Sequence, residues 1–194
     1  MSVSAPTPKR VATYADLLAV PDHLVAEILD GELVVSPRPA LLHANASSFI
    51  GADLLGGFGH GPGGGAGSPG GWWILDEPEL HFGQHVLVPD LAGWRRERMP
   101  KIPNVAFVEL VPDWCCEVLS PSTARHDRLQ KMRIYAREGV RHLWLVDPLA
   151  RTLEVFRLEG ERWLLLATHA DDERVRAEPF EAAQLEIARW WIEL

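Results

Sequence analysis

The sequence predicts an α/β protein with a mixed central sheet flanked by helices. Apolar strand-like segments alternate along the chain with helix-like segments. A helix-like segment that ends before Gly139 is followed by the short apolar run 142–146, which is the pattern of a crossover between parallel strands. The chain has 194 residues, of which 47% are hydrophobic, and this is enough for one sizeable core and short for two. We therefore expect a single domain over residues 1–194.

Local signals predict the elements in order. The pair Asp30-Gly31 is a two-residue hairpin signal, and the apolar stripe of segment 41–55 is typical of a helix packed on a sheet. The predicted segments of the first half are a short helix over 14–19, an N-terminal hairpin over 25–29 and 32–36, the helix over 41–55, and a pair of strands over 72–82 and 86–94. The second half adds a strand over 107–119 and a C-terminal hairpin, over 152–158 and 161–167, that extends the sheet.

Two segments are predicted to lack fixed structure. Residues 56–71 hold ten of the 16 glycines and no aliphatic side chain larger than that of Ala66, so they bury too little surface to order themselves. We expect a mobile loop there. Residues 1–10 are expected to form a disordered tail.

Two acidic residues in separate strand-like runs are the first candidates for a catalytic site. In the run 113–119 alternate residues share a face, so Asp113 and Glu117 point the same way but lie roughly 13 Å apart, at ~3.3 Å per residue, which is too far to share one ion. Asp90 belongs to another strand-like run, and a residue on an adjacent strand lies only ~4.8 Å away. Asp90 is therefore the better partner for Glu117, if the two strands pair.

These two carboxylates, together with Lys131 on the next helix, are the minimal set of groups for metal-assisted hydrolysis of a phosphodiester. Oxygen ligands suit a hard ion, Mg²⁺ or Mn²⁺, that keeps several waters and leaves room for a substrate phosphate. We expect Asp90 and Glu117 to be the metal ligands and a bound water to be the nucleophile. The alternatives are a turn residue for Asp90, a buried structural carboxylate for Glu117, and a surface ion pair between Asp127 and Lys131.

Several motifs in one order resemble the Uma-type family of restriction-endonuclease-like proteins, which is part of the PD-(D/E)XK nuclease superfamily. The motifs are Glu27 to Val34, Val88-Pro89-Asp90-Leu91, Pro112 to Ser122, the series Asp127, Lys131 and Tyr135, and His142 to Pro148. The match runs from about residue 14 to about residue 158. The resemblance implies a restriction-endonuclease-like fold and a nuclease that acts on DNA.

One position departs from the superfamily's pattern. The usual lysine stands two residues after the glutamate, where this chain has Leu119, whose aliphatic side chain carries no charge. The resemblance implies that the lysine has moved to the following helix as Lys131, where it orients the attacking water and stabilises the charge that develops on phosphorus. The other interpretation of Leu119 is a dead site.

Two further residues match the family's pattern without a definite role. In the predicted hairpin Glu27 opposes Val34. The side chain of Glu27 then either adds an acid beside the site or faces water. The exposed position is favoured, and Glu27 stays a candidate catalytic residue. His43 falls where the family often has a histidine, but a surface position near a helix end explains it equally well.

The distribution of charge bears on the partners. The formal net charge of −8 weighs against tight, indiscriminate binding to a polyanion. Ten of the 19 Lys and Arg residues nevertheless follow the two acidic motifs, where phosphates are expected to lie. They are Arg95, Arg96, Arg98, Lys101, Arg125, Arg128, Lys131, Arg133, Arg137 and Arg141. For the last six, a solvated helix face is an equally good explanation.

Other features narrow the class of protein. No stretch reaches the ~20 apolar residues that span a bilayer, and the N-terminus lacks a secretion signal, so we expect a cytoplasmic protein without a membrane partner. Cys115 and Cys116 are adjacent and point to opposite faces of a strand, which predicts core residues and neither a disulfide nor a zinc site. The pair Trp190-Trp191 fits either the core or a homodimer contact.

The sequence therefore predicts a Mg²⁺-dependent endonuclease that cleaves DNA, with Asp90, Glu117 and Lys131 as its catalytic residues. The alternative is a catalytically inactive nucleic-acid- or protein-binding module that retains the nuclease fold. Another phosphodiester, such as RNA, is a third interpretation, because a carboxylate pair acts on phosphate and does not read bases. No helix-turn-helix or zinc-finger pattern indicates sequence-specific reading.

Overall fold

The structure, a computed structural model, describes residues 10–60 and 69–192. Its strands are β1 (Leu24–Leu29), β2 (Glu32–Pro37), β3 (Trp72–Asp76), β4 (Leu80–Phe82), β5 (His85–Leu87), β6 (Leu91–Arg95), β7 (Trp114–Val118), β8 (His142–Asp147), β9 (Thr152–Glu159), β10 (Arg162–Ala170), β11 (Arg174–Val175) and β12 (Leu185–Glu186). Its α-helices are α1 (Tyr14–Leu18), α2 (Leu41–Phe58), α3 (Ala124–His126) and α4 (Met132–Glu138). A π-helical segment, Asp127–Lys131, joins α3 to α4, and a 3-10 turn covers Ile187–Trp190.

A mixed sheet lies at the centre of the described part of the chain, with the strand order β10-β9-β8-β7-β6-β3. Its strands β7 and β8 are parallel and are connected through α3 and α4, which confirms the predicted crossover. The C-terminal hairpin β9-β10 extends this sheet, as predicted. The N-terminal hairpin has the predicted register but belongs to a second, antiparallel sheet with the order β2-β1-β5-β4.

Residues 72–82 and 86–94 pair with each other, as predicted, but neither segment is a single strand. Each segment forms two strands, one in each sheet: β4 pairs with β5 in the smaller sheet, and β3 pairs with β6 in the larger one. Prolines stand at the two crossing points, Pro78 and Pro89, and their missing amide N–H groups cannot continue a ladder. The chain therefore passes twice between the sheets, and the second passage ends at Asp90.

Two other boundaries differ from prediction. The predicted strand 107–119 is limited to β7, because residues 107–113 form a loop whose only ladder contact among described residues is one bridge between Val108 and Leu80. Helix α2 continues three residues into the segment predicted to be a mobile loop, because Phe58 is buried against Phe180 with ring centroids 4.9 Å apart. The rest of that prediction falls largely on residues 61–68, and the predicted tail falls on residues 1–9; both lie outside the described residues.

Two large apolar clusters cover the two faces of the larger sheet, and a third, small cluster joins Leu17 to Ile28 and Val86 of the smaller sheet. Cys116 lies in the cluster formed with α2 and the C-terminal segment, whereas Cys115 lies in the cluster formed with α4 and the smaller sheet. Both cysteines are fully buried, which confirms their prediction as core residues. Trp190 is also fully buried and hydrogen-bonds to Asp53 of α2, so it is a core residue. The homodimer stays a prediction.

Among the described residues, the helices are all too short or too polar to cross a membrane.

Phe180 is the centre of the first cluster, and its removal should be costly. Its ring centroid lies 4.8 Å from that of Trp72 and 5.1 Å from that of Trp114, and the side chain is fully buried. We expect Phe180→Ala to lower the free energy of unfolding by about 3–5 kcal/mol, measured by urea denaturation. The exposed Leu165→Ala should change it by no more than about 0.5 kcal/mol. Equal effects of the two variants would contradict this assignment of the core.

Candidate active site

A cavity of about 260 Å³ at the carboxyl end of β7 brings the predicted site residues together. Carboxyl ends of strands are the usual place for ligands in open α/β sheets. The titratable side chains on its inner wall are Glu27, His43, Asp90, Glu117, Asp127 and Lys131. They come from β1, α2, the start of β6, β7 and the π-helical segment, so all the main parts of the fold meet here.

Asp90 lies beside Glu117, as the spacing argument requires. Strand β6 pairs antiparallel with β7 through Leu91 and Cys116, and one step further along the register Asp90 stands opposite Glu117. The Val118 amide donates to Asp90 Oδ2 at 2.7 Å, and His43 Nε2 lies 3.1 Å from Asp90 Oδ1. Both carboxylate oxygens are therefore oriented. The Asp90 side chain keeps an exposed fraction of 16%, which lets it face the cavity.

Glu117 is almost completely buried at the base of the cavity, with 2% of its surface exposed. Tyr135 donates its hydroxyl proton to Glu117 Oε1 at 2.5 Å, and Lys131 Nζ donates to Oε2 at 2.9 Å. Burial raises the pKa of this carboxyl well above its usual value, against the opposing attraction of Lys131. A buried carboxylate is costly unless it is paired, and here it has two donors.

Lys131 is the centre of the charged cluster. Besides Glu117, its ammonium lies 3.1 Å from Glu27 Oε1 and 3.7 Å from Asp127 Oδ1, and it donates to the Val88 carbonyl at 3.2 Å. Burial alone would lower the pKa of Lys131, but the surrounding carboxylates outweigh it and raise the pKa well above its usual value. Lys131 is therefore held as a cation. The interpretation of Asp127 and Lys131 as a surface pair is wrong, since 4% and 3% of their surfaces are exposed.

The π-helical segment explains how two residues four apart both reach the cavity. The Met132 amide donates to the Asp127 carbonyl, five residues earlier, so this turn is wider than an α-helical one. Its first and last residues are the buried ones. Burial raises the pKa of Asp127 to about 6, although Lys131 and a hydrogen bond with Thr123 oppose the shift. Single π turns are frequent at functional sites.

Glu27 is buried, so the favoured exposed position is wrong. Its register opposite Val34 is as predicted, but only 8% of its surface is exposed. Its Oε1 accepts the Val88 amide proton at 2.8 Å and lies 3.1 Å from Lys131. Its burial follows from two distant segments, the chain at Val88 and the helical turn that carries Lys131, which no local pattern connects to Glu27.

His43 is likewise buried, so its interpretation as a surface residue is wrong. It lies on the buried stripe of α2 with Ser47, Ile50 and Leu54, and this helical spacing could have revealed it. Burial lowers the pKa of His43, but the hydrogen bond and charge of Asp90 outweigh burial, and the net pKa is raised. Its Nδ1 is buried and has no hydrogen-bond partner within the described residues.

Most of the basic residues that follow the acidic motifs lie elsewhere. Of the ten, only Lys131 lines the cavity. Arg96 lies over the Trp73 ring, 3.3 Å from its centroid, and Arg98 pairs with Asp113 at 2.8 Å. Asp113 is thus paired outside the cavity, which agrees with the expectation that it lies too far from Glu117 to share an ion. The other cation in the described lining is Arg38, which the sequence analysis did not single out.

The residues that could hold a metal ion in this cavity are Asp90 and Glu117. Within residues 10–60 and 69–192, no three His, Cys, Asp or Glu side chains are grouped as a metal cluster. Asp90 and Glu117 nevertheless reach one cavity, and Mg²⁺ commonly takes one or two carboxylates and keeps its waters. Each carboxylate oxygen has two lone pairs, so the oxygens that already accept hydrogen bonds retain the capacity to bind an ion.

The buried cluster should depend on its cation for stability. Lys131→Met keeps the length of the side chain but leaves Glu27, Glu117 and Asp127 without their shared ammonium. We expect a loss of about 3–5 kcal/mol in the free energy of unfolding at neutral pH, because buried charges become unpaired. Urea denaturation measures it. Lys101→Met, at an exposed position, is the control and should be nearly neutral; equal stabilities of the two variants would refute the pairing.

Comparisons with known proteins bear on the fold and the family of this chain. No curated protein matches the chain. A crystal structure of "a putative nuclease belonging to DUF820" from Anabaena variabilis ATCC 29413 is similar, with a TM-score of 0.70 over 92% of this chain and 97% of that chain. At 22% sequence identity this likeness shows a common fold. The model of the Uma2 family, described as "Putative restriction endonuclease", matches residues 11–189, and the chain therefore belongs to the Uma2 family.

Proposed function

We propose that this chain is a Mg²⁺-dependent endonuclease that hydrolyses phosphodiester bonds in DNA. The observation that carries the proposal is the meeting of Asp90, Glu117 and Lys131 in one cavity, although they come from three separate elements. Membership of the Uma2 family supports nuclease chemistry in general.

Asp90 and Glu117 would hold the ion. When bound, Mg²⁺ polarises a phosphoryl oxygen and lowers the pKa of a coordinated water, and Mn²⁺ would serve in the same way. The chain's own contribution is to orient the two carboxylates before substrate arrives. Val118 and His43 fix Asp90, and Tyr135 fixes Glu117.

Lys131 would act as a cation that orients the attacking water and stabilises the charge that develops on the phosphoryl group. The apolar surroundings of Leu119 support this role for Lys131. The Leu119 side chain is 4% exposed and belongs to the apolar cluster that contains Cys115 and Ile134, so a lysine there would lie among apolar groups. Lys131 reaches the same glutamate from the neighbouring helical segment.

One observation favours the alternative, an inactive binding module. Both oxygens of Glu117 already have donors, so an ion has to share Glu117 with Tyr135 and Lys131. A module that had lost its metal would keep such a closed set of hydrogen bonds. The two functions differ in whether DNA is cut when Mg²⁺ is added.

Cleavage assays test the proposal. The protein is incubated with supercoiled, linear and single-stranded DNA in Mg²⁺, in Mn²⁺ and in excess chelator. We expect cleavage that requires the ion and that falls by about 10²–10³-fold in Asp90→Asn, Glu117→Gln and Lys131→Met, because each removes a charge from the reacting centre. The exposed Asp172→Asn should cleave like the wild type.

The stability of each variant is measured beside its activity, so that loss of folding is separated from loss of catalysis. Wild-type protein that leaves every DNA form intact in both ions would contradict the nuclease and favour the binding module.

A further inference from the structure

The reacting groups lie at the base of a narrow cavity, well below its rim. Glu117 and Lys131 have exposed fractions of 2% and 3%, whereas the rim residue Arg38 has a side chain that is 55% exposed. The lining includes the end of β2 with its connection to α2, from Ser36 to Ala40, and the turn from Ser120 to Thr123 after β7. A scissile phosphate has to enter this cavity to reach Glu117.

The depth of the reacting groups limits how a phosphate can reach them. Because Glu117 and Lys131 are almost completely buried, a strand has to turn its scissile phosphate into the cavity, whose volume is about 260 Å³. Duplex DNA is stiff over about 150 base pairs, so such a local turn of the backbone costs less in an unpaired strand.

The charges of the lining point the same way. Duplex binding relies on many contacts between Lys or Arg and phosphate. In the described lining, Arg38 and Lys131 are the cations, and they face five carboxylates, those of Glu27, Glu77, Asp90, Glu117 and Asp127. The exposed Arg133 lines a different groove, with Met132 and Trp163. The cavity therefore has cations for one or two phosphates, fewer than the contacts on which duplex binding relies.

Arg38 is placed to bind one of those phosphates. Its guanidinium donates to the Asp22 carbonyl at 3.0 Å and lies 3.6 Å from Glu77 Oε2. An exposed pair of this kind contributes little, so a phosphate can replace Glu77 as the partner. Arg38 and Glu77 also line a second cavity of about 390 Å³, where the exposed Leu18 and Pro21 offer an apolar surface to a neighbouring unpaired base.

We propose that the site takes single-stranded DNA, and that Arg38 is a positioning residue that holds the phosphate next to the one that is cleaved. This inference rests on the proposed nuclease function for the identity of the scissile bond. The entry of one strand and the contact with Arg38 can be measured without cleavage.

The test compares a fluorescent single-stranded oligonucleotide with the duplex of the same sequence. Binding is measured by anisotropy in Ca²⁺, an oxygen-seeking ion that neutralises carboxylates. We expect about tenfold tighter binding of the single strand, and a slope of log K against log salt of about −0.7 to −1.4, which corresponds to one or two phosphates. Cleavage of the two substrates in Mg²⁺ should show the same preference.

Arg38→Gln should weaken binding of the single strand and make the salt slope less steep by about 0.7, because one phosphate contact is lost. Arg133→Gln is the matched control and should behave as the wild type. Because both side chains are exposed, neither substitution should affect folding.

The outcomes separate the two proposals. Equal binding and cleavage of duplex and single strand, a wild-type salt slope in Arg38→Gln, or no binding of either DNA form would overturn the single-strand inference. Single-strand binding that depends on Arg38, without cleavage in Mg²⁺ or Mn²⁺, would support strand entry and overturn the nuclease.

Discussion

The rest of the site depends on the ion pairs that the buried ammonium of Lys131 makes with three carboxylates. This ammonium bridges Glu117 of the larger sheet, Glu27 of the smaller sheet and Asp127 at the start of its own π turn. Buried charges of one sign repel each other strongly in a low-dielectric interior, and a single shared cation offsets that repulsion. The same contacts fix the position of the helical segment against both sheets, so the charge cluster is part of the architecture as well as of the site.

The two acidic ligand candidates show how strand geometry alone can locate a site. The choice of Asp90 over Asp113 needed only the rise per residue along a strand and the spacing between strands. It required that the two strands be neighbours, and the pairing of Leu91 with Cys116 shows that they are. Asp113, the rejected alternative, is neutralised by Arg98 away from the cavity. The hairpin turn at Asp30-Gly31 and the crossover between β7 and β8 were also predictable, because both follow from residues close together in sequence.

The parts that the sequence analysis missed depend on contacts between distant segments. Glu27 is buried because the Val88 amide and Lys131 of the helical segment contact it, and no local pattern shows which distant segments will meet. The division of two predicted strands between two sheets has a local cause in Pro78 and Pro89, but their positions alone do not say where the chain goes next. His43 was recoverable, since it shares the helical spacing of the buried residues of α2.

The central claim is that Asp90 and Glu117 bind a divalent ion together. Calorimetric titration with Mg²⁺ and Mn²⁺ tests it most directly, because it requires neither a substrate nor turnover. The account predicts that the wild type binds the ion, that Asp90→Asn and Glu117→Gln each lose the binding, and that the exposed Asp172→Asn and Glu181→Gln retain it. Absence of binding in the wild type even with an oligonucleotide present, or unchanged binding in both site variants, would contradict it.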